Sequence, residues 1–171
     1  MISIVKAGPE NCQLLVEIGK TSFIESHGNS ASHEDITDYV NQKLTLTAFQ
    51  AELNDTKNIF YILYCDNKPA GYSKIIFNSP HPNIQQQGVT KLERLYLLKE
   101  FYNLKLGQKL FEFNVELSKT NHQTGMWLFV WTENKRAVAF YKKTGFKIIG
   151  EHSFQISKNH SNPNHQMLLV Y

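Results

Sequence analysis

Trp127 to Gly150 reads WLFVWTENKRAVAFYKKTGFKIIG, and along these residues the hydrophobic period changes twice. Trp127, Leu128, Phe129, Val130 and Trp131 are a short apolar run of aromatic and β-branched side chains, the pattern of a strand. Thr132 to Asn134 end the run with residues that suit loops and helix caps. Ala137, Val138, Phe140 and Tyr141 then recur at helical spacing, with Lys142 and Lys143 in the last turn, where the helix dipole favours cations. Gly145 offers the left-handed residue that stops a helix, and Phe146 to Ile149 resumes an extended run. The stretch predicts strand, capped helix, glycine stop and strand, with Asn134 at the helix start and Tyr141 about two turns later on roughly the same face. One polar residue at each turning point suggests a ligand site.

Outward from this stretch the same two periods divide the rest of the chain. Lys91 to Leu98 reads as a strand, Lys99 to Gly107 as a turn, and Leu104 to Lys119 as an amphipathic helix, so a strand–helix–strand crossover leads into Trp127, right-handed by the rule for parallel strands. Further upstream, Ile59 to Cys65 and Pro69 to Phe77 are β-rich runs joined by Asp66-Asn67-Lys68 as a hairpin, and residues 78–90 are a polar loop. The N-terminal part reads as a strand from Ile2 to Val5 and a helix begun by Pro9-Glu10-Asn11, striped by Leu14, Leu15, Ile18 and Phe23 and ending near Gly28. A second helix opens at Ser32-His33-Glu34-Asp35, and a shorter third spans Thr47 to Leu53. Gln166 to Tyr171 is the last strand. The expected fold class is α/β: a mixed, mostly antiparallel central sheet of six to seven strands with helices on both faces.

A length of 171 residues suits a single domain over 1–171, and 42% hydrophobic with 19% charged residues is ordinary for a globular protein. No apolar run approaches the roughly 20 residues of a membrane helix, and MISIVKAGPEN lacks a signal core, so the expectation is a cytoplasmic protein without a membrane partner. A net charge of +3, with Arg94 and Arg136 as the only arginines, argues against a nucleic-acid surface. Cys12 and Cys65 form no C-x-x-C and read as reduced core residues. His27, His33, His81 and His152 are scattered without a metal-like pair on one helix face, so no metal is expected.

The Trp127–Gly150 arrangement resembles the acyl-CoA motif of the GNAT superfamily of N-acyltransferases. ERLYLLKEFYNLKLGQKL, residues 93–110, is similar to that family's strand, phosphate turn and helix. Where the family has Q/R-x-x-G-x-G/A, this chain has Tyr102-Asn103-Leu104-Lys105-Leu106-Gly107, so Tyr102 replaces the leading Gln or Arg and Lys105 the first glycine. Lys105 must then take a backbone angle that glycine adopts more easily, while its ammonium, with that of Lys109 one turn on, offers attraction to a diphosphate. TSFIESH, SHEDITDYV, KPAGYSKI and GEHSF extend the likeness over nearly the whole chain to the bacterial spermidine/spermine N-acetyltransferases of the PaiA type.

The resemblance implies an acetyl-CoA-dependent N-acetyltransferase that moves an acetyl group directly to a primary amine, with no cysteine or serine nucleophile. The pantetheine arm would lie along the backbone of Leu95, Tyr96 and Leu97, whose amides would polarise the thioester carbonyl. The diphosphate would rest on Tyr102 to Gly107 and Gln108, with Lys143 also on the cofactor side, and Asn134 would hydrogen-bond the pantetheine. Tyr141 would protonate the departing thiolate, since a phenol pKa of about 10 exceeds that of a thiol, roughly 8.5; read without the motif, it is a core aromatic. Glu93 would take the amine proton through a water, or else is an exposed carboxylate at a strand end. The partner implied is a small-molecule amine, with a polyamine favoured, and a homodimer is compatible with the family. Glu25, Glu34, Asp35 and Asp38 either line the acceptor groove or are solvated helix faces. Acetylation of a protein or peptide amine, and a CoA-binding regulatory module without turnover, are the rival readings.

Overall fold

Apolar extended runs and one tight turn build the first half of the sheet. In the computed structural model, which describes residues 1–171, β1 (Ile2–Lys6), β2 (Ile59–Cys65), β3 (Lys68–Ile76) and β4 (Val89–Leu97) pair antiparallel in that order. Asp66 and Asn67 take φ of 49° and 64°, the left-handed pair that a two-residue hairpin needs, so β3 begins at Lys68. The second half joins by a parallel contact: β5 (Gly125–Trp131) lies beside β4, and β7 (Ser161–Val170) separates it from the edge strand β6 (Lys147–Gln155). The sheet thus has seven strands in the order β1-β2-β3-β4-β5-β7-β6.

β6 and β7 extend well beyond the expected 146–149 and 166–171. Edge strand β6 buries almost nothing, and β7 carries Asn162, Asn164 and Gln166 at inward positions, so neither shows the apolar alternation that marks a half-buried strand. The pairing of Glu151 to Gln155 with Ser161 to His165 holds them in the sheet instead.

Helices cover both faces. α1 (Cys12–His27), α2 (His33–Lys43) and α3 (Leu46–Asn54) pack Leu15, Phe23, Ile36, Val40 and Phe49 on Phe60, Ile62 and Tyr72. α4 (Leu106–Thr120) and α5 (Lys135–Lys143) bury Leu110, Phe111 and Val138 against the opposite face, where Leu63, Ile75, Met126 and Leu128 point. Each such side chain removed from water contributes about 1.5–3 kcal/mol. Ser32 Oγ accepts the Asp35 N–H and Thr45 Oγ1 accepts the Ala48 N–H, capping α2 and α3. No helix is long and apolar enough to cross a membrane.

Candidate active site

β4 and β5 share a ladder only where Val89, Thr90 and Lys91 face Gly125, Met126 and Trp127. Beyond that rung β4 stays paired with β3 as far as Leu97, and β5 stays paired with β7 as far as Trp131, so the two central strands diverge. A bulge sits at the divergence. Lys74 faces Arg94 and Ile75 faces Leu92, which leaves Glu93 as the extra residue on β4, and a bulge bends its strand. From Leu92 to Leu97 the edge of β4 toward β5 has no strand partner, and unpaired backbone groups of this kind can pair with an extended ligand.

A first cavity of about 330 Å³ opens along this edge. Leu95, Tyr96 and Leu97 form one wall, and Tyr102, Asn103, Lys105, Leu106, Gly107 and Gln108 form another. α4 begins at Leu106 because Asn103 and Lys105 are both left-handed, with φ of 66° and 57°. No side chain caps this helix, so the N–H groups of its first turn are free to meet an anion. Gly107 sits tightly under β4: a Cβ there would come within 3.2 Å of Leu97 Cδ1. Leu104, which is 54% exposed, and Lys143, in the last turn of α5, border neither cavity.

A second cavity of about 320 Å³ lies across the gap, between α1, β4, β5 and the ends of β6 and β7. Leu95, Tyr96, Asn134, Ala137 and Tyr141 border both cavities, so the two meet at these residues. Asn134 Oδ1 accepts the Ala137 N–H at 3.1 Å and caps α5, which leaves its Nδ2 to donate elsewhere. Tyr141 is 8% exposed and packs on Phe111 and Phe146, and burial pushes its phenol pKa up, so it stays protonated. The turn that carries it is closed by the Phe146 N–H to the Tyr141 carbonyl at 3.0 Å and the Gly145 N–H to the Lys142 carbonyl at 3.1 Å, with Gly145 at φ 101°.

Charges gather beneath the second cavity. Glu93 lies 3.1 Å from Lys91 Nζ and 3.8 Å from Lys74 Nζ. Glu52 of α3 takes Lys74 at 2.8 Å and Arg94 Nη2 at 2.8 Å. The bulge lets the consecutive residues Glu93 and Arg94 reach the same face, so three cations share two carboxylates there. Burial works to raise the Glu52 carboxyl, but Arg94 and Lys74 outweigh it and hold it below its ordinary value. Burial also pushes the nearby Tyr72 phenol up to about 12.

Of the two readings of the acids in α1 and α2, the structure has the solvated one: Glu25 Oε2 accepts the Lys99 N–H, Asp35 Oδ2 accepts the Ser32 hydroxyl, and neither these nor Glu34 and Asp38 border the cavity. His152 does border it, stacked on Phe129 at 4.1 Å.

Four residues emerge that sequence reasoning did not place at the site. Glu52 and Lys74 give no signal, being isolated charges among apolar residues. His27 stood in the last turn of α1 beside a glycine. Arg136 carried a clue: the first turn of α5 holds Lys135 and Arg136 and no acid, against the preference of the dipole. Its guanidinium lies 3.9 Å from the Tyr102 ring centroid, so a cation returns to the place where the family's leading Gln or Arg is missing.

A diverging strand pair, an unpaired β4 edge and an uncapped helix start leave room for an extended ligand with an anionic end. The chain matches the acetyltransferase (GNAT) family over residues 23–146. It belongs to that family, and its seven-stranded mixed sheet is the family's fold. It is 28% identical over 154 residues, 90% of this chain and 88% of the other, to an uncharacterized N-acetyltransferase in the pepI 3′ region of Lactobacillus delbrueckii subsp. lactis. It is 26% identical over 153 residues, 86% and 89% of the two chains, to a spermidine N(1)-acetyltransferase of Thermoplasma acidophilum. Among solved structures, the PaiA N-acetyltransferase of T. acidophilum in complex with coenzyme A superposes with a TM-score of 0.78 at 21% identity, covering 100% of this chain and 99% of that one. The chain is thus an acyltransferase with a PaiA-like fold.

Proposed function

We propose that acetyl-CoA lies extended in the gap between β4 and β5, and that its acetyl group passes directly to the primary amine of a small molecule arriving through the second cavity. The observation that carries this reading is the unpaired edge of β4 beyond Lys91, flanked by two cavities that meet at Tyr141. The backbone of Leu95 to Leu97 holds the pantetheine and polarises the carbonyl, and Asn134 Nδ2 donates to it. The first-turn N–H groups of Leu106, Gly107 and Gln108, with the side chains of Lys105 and Arg136, face the diphosphate. Acetyl-CoA supplies the activated carbonyl and its thiolate leaving group. Tyr141 delivers a proton to that thiolate. Neither Cys12 nor Cys65 borders either of these two cavities, in keeping with direct transfer. Glu93, expected to take the amine proton through a water, lies in ion pairs with Lys91 at 3.1 Å and Lys74 at 3.8 Å, which occupy its carboxylate and leave it less free to act as that base.

Three cations against two carboxylates favour an acceptor with one ammonium over a polycation. A polyamine is the second reading, and the likeness to the spermidine N(1)-acetyltransferase is the observation for it. Titration calorimetry with acetyl-CoA, followed by thiol release over a panel of monoamines, amino acids, spermidine and a lysine peptide, tests the proposal. Acetyl-CoA binding with thiol release on a small amine is expected, and the product gains the mass of an acetyl group. Release on the peptide alone would make the chain a protein acetyltransferase, and binding without release on any amine would make it a regulatory module.

A further inference from the structure

Ser26 and His27 end α1 at the mouth of the gap and border opposite sides of it, Ser26 the first cavity and His27 the second. The His27 ring reaches both diverging strands. It stacks on Phe23 at 4.8 Å and on Trp131 of β5 at 5.7 Å, and meets Tyr96 of β4 edge-on at 6.1 Å. Ser26 Oγ lies 2.7 Å from His27 Nδ1 and 2.7 Å from the carbonyl oxygen of Ser22, with the Phe23 carbonyl at 3.3 Å. A hydroxyl has one proton and a carbonyl only accepts, so the Ser26 proton points into the helix and Oγ is left as an acceptor. His27 Nδ1 must then carry the ring hydrogen and Nε2 the lone pair. Nε2 has no hydrogen-bond partner in the protein and is not sealed from the cavity.

We infer that His27 Nε2 is the base that takes the amine proton during acetyl transfer. The inference rests on the acetyltransfer reading above. The ammonium first gives one proton to water; as the neutral amine nitrogen bonds to the acetyl carbon and the carbon–sulfur bond breaks, one N–H proton passes to Nε2 and the thiolate takes the Tyr141 proton. The imidazolium then returns its proton to the phenolate through water, which leaves the amide and the free thiol. The attacking nitrogen becomes cationic as its bond forms, so a base far weaker than the free amine can relieve it. Burial lowers the His27 pKa to about 4, which keeps the ring neutral and its lone pair free across the neutral range. The charged and titratable groups that share its cavity are Lys91, Glu93, Arg94 and Tyr96 of β4, Tyr141 of α5 and His152 of β6.

Nitrogen-15 NMR of the full chain with labelled histidine reads the tautomer without any acceptor. A His27 ring protonated on Nδ1 and bare on Nε2 at neutral pH is expected; the opposite tautomer overturns the inference. His27→Ala and His27→Asn should each lower turnover of the best amine of the panel about a hundredfold or more, with the Kd for acetyl-CoA unchanged. Added imidazole should restore part of the rate to the Ala variant, which a purely structural role would not allow. Variants as active as an active parent defeat the base role alone. A parent inert toward every amine defeats the acetyltransfer reading and the base role with it.

Discussion

The two cavities meet at Tyr141 but are made of different material. The first is built from backbone: the free edge of β4, two left-handed residues and the uncapped start of α4. The second is built from side chains that α1, β4, β5, β6 and β7 bring together, set over an ion-paired floor to which α3 adds Glu52 and β3 adds Lys74. A backbone surface suits a partner that never changes, because its groups survive most substitutions. A side-chain surface suits a partner that differs between relatives. This division explains how the turn before α4 keeps its shape with Tyr102 and Lys105 in place of the family's usual residues, while the second cavity carries charges that no motif announces.

The largest effect is expected where the cavities join. Tyr141→Phe keeps the ring and removes the proton, so turnover should fall about a hundredfold to ten-thousandfold while calorimetry finds the same affinity for acetyl-CoA. A variant as fast as the parent would show that the thiolate is protonated from elsewhere. Glu52→Gln acts under the second cavity only. It leaves Lys74, with a side chain 6% exposed, and Arg94 without their shared carboxylate, at a stability cost of about 3 kcal/mol in denaturant unfolding. The KM for the amine should rise and the Kd for acetyl-CoA should stay; weaker acetyl-CoA binding would break the division between the cavities.

The same carboxylate sets an acid limit. Its folded pKa is held below the ordinary 4.5, so the folded state binds the proton less tightly than the unfolded chain does. Its contribution to stability is therefore full above pH 4.5 and is lost as pH falls through the lower folded value. Melting curves of the parent should steepen their decline in that window, and Glu52→Gln should flatten it. Parallel declines would mean that the pair contributes nothing to acid stability.

The difference between the cavities also sets how much was legible in the sequence. Backbone features leave local marks: the apolar run at Trp127, the caps and glycine around α5, and the strand, turn and helix from Glu93 to Leu110 all stand in contiguous residues, and the β4–α4–β5–α5 part of the fold follows from them. The left-handed angle of Lys105 was implied by the glycine it replaces. The floor of the second cavity leaves no such mark, because Glu52 and Arg94 are 42 residues apart and meet only through the sheet. The bulge at Glu93 is equally silent, since it depends on how β3 and β4 register. The acids of α1 and α2 are as readily explained by solvent, and the charge of Lys74 masks its place on an inward face.

The smallest effect sharpens the comparison most. Lys105→Gly relieves a left-handed backbone that costs a side chain about 1–2 kcal/mol, but the added glycine also loosens the unfolded chain by about 0.4–1 kcal/mol. Stability should therefore rise by between about 0 and 1.6 kcal/mol, read as a small upward shift in Tm. The ammonium is the larger matter for binding. If it attracts the diphosphate, its loss should weaken acetyl-CoA binding by about 1 kcal/mol, roughly fivefold, and the gap between variant and parent should close in high salt as the charges are screened. Unchanged affinity at low salt would mean that the lysine is only tolerated, and that the first cavity binds by backbone N–H groups with Arg136 as its cation.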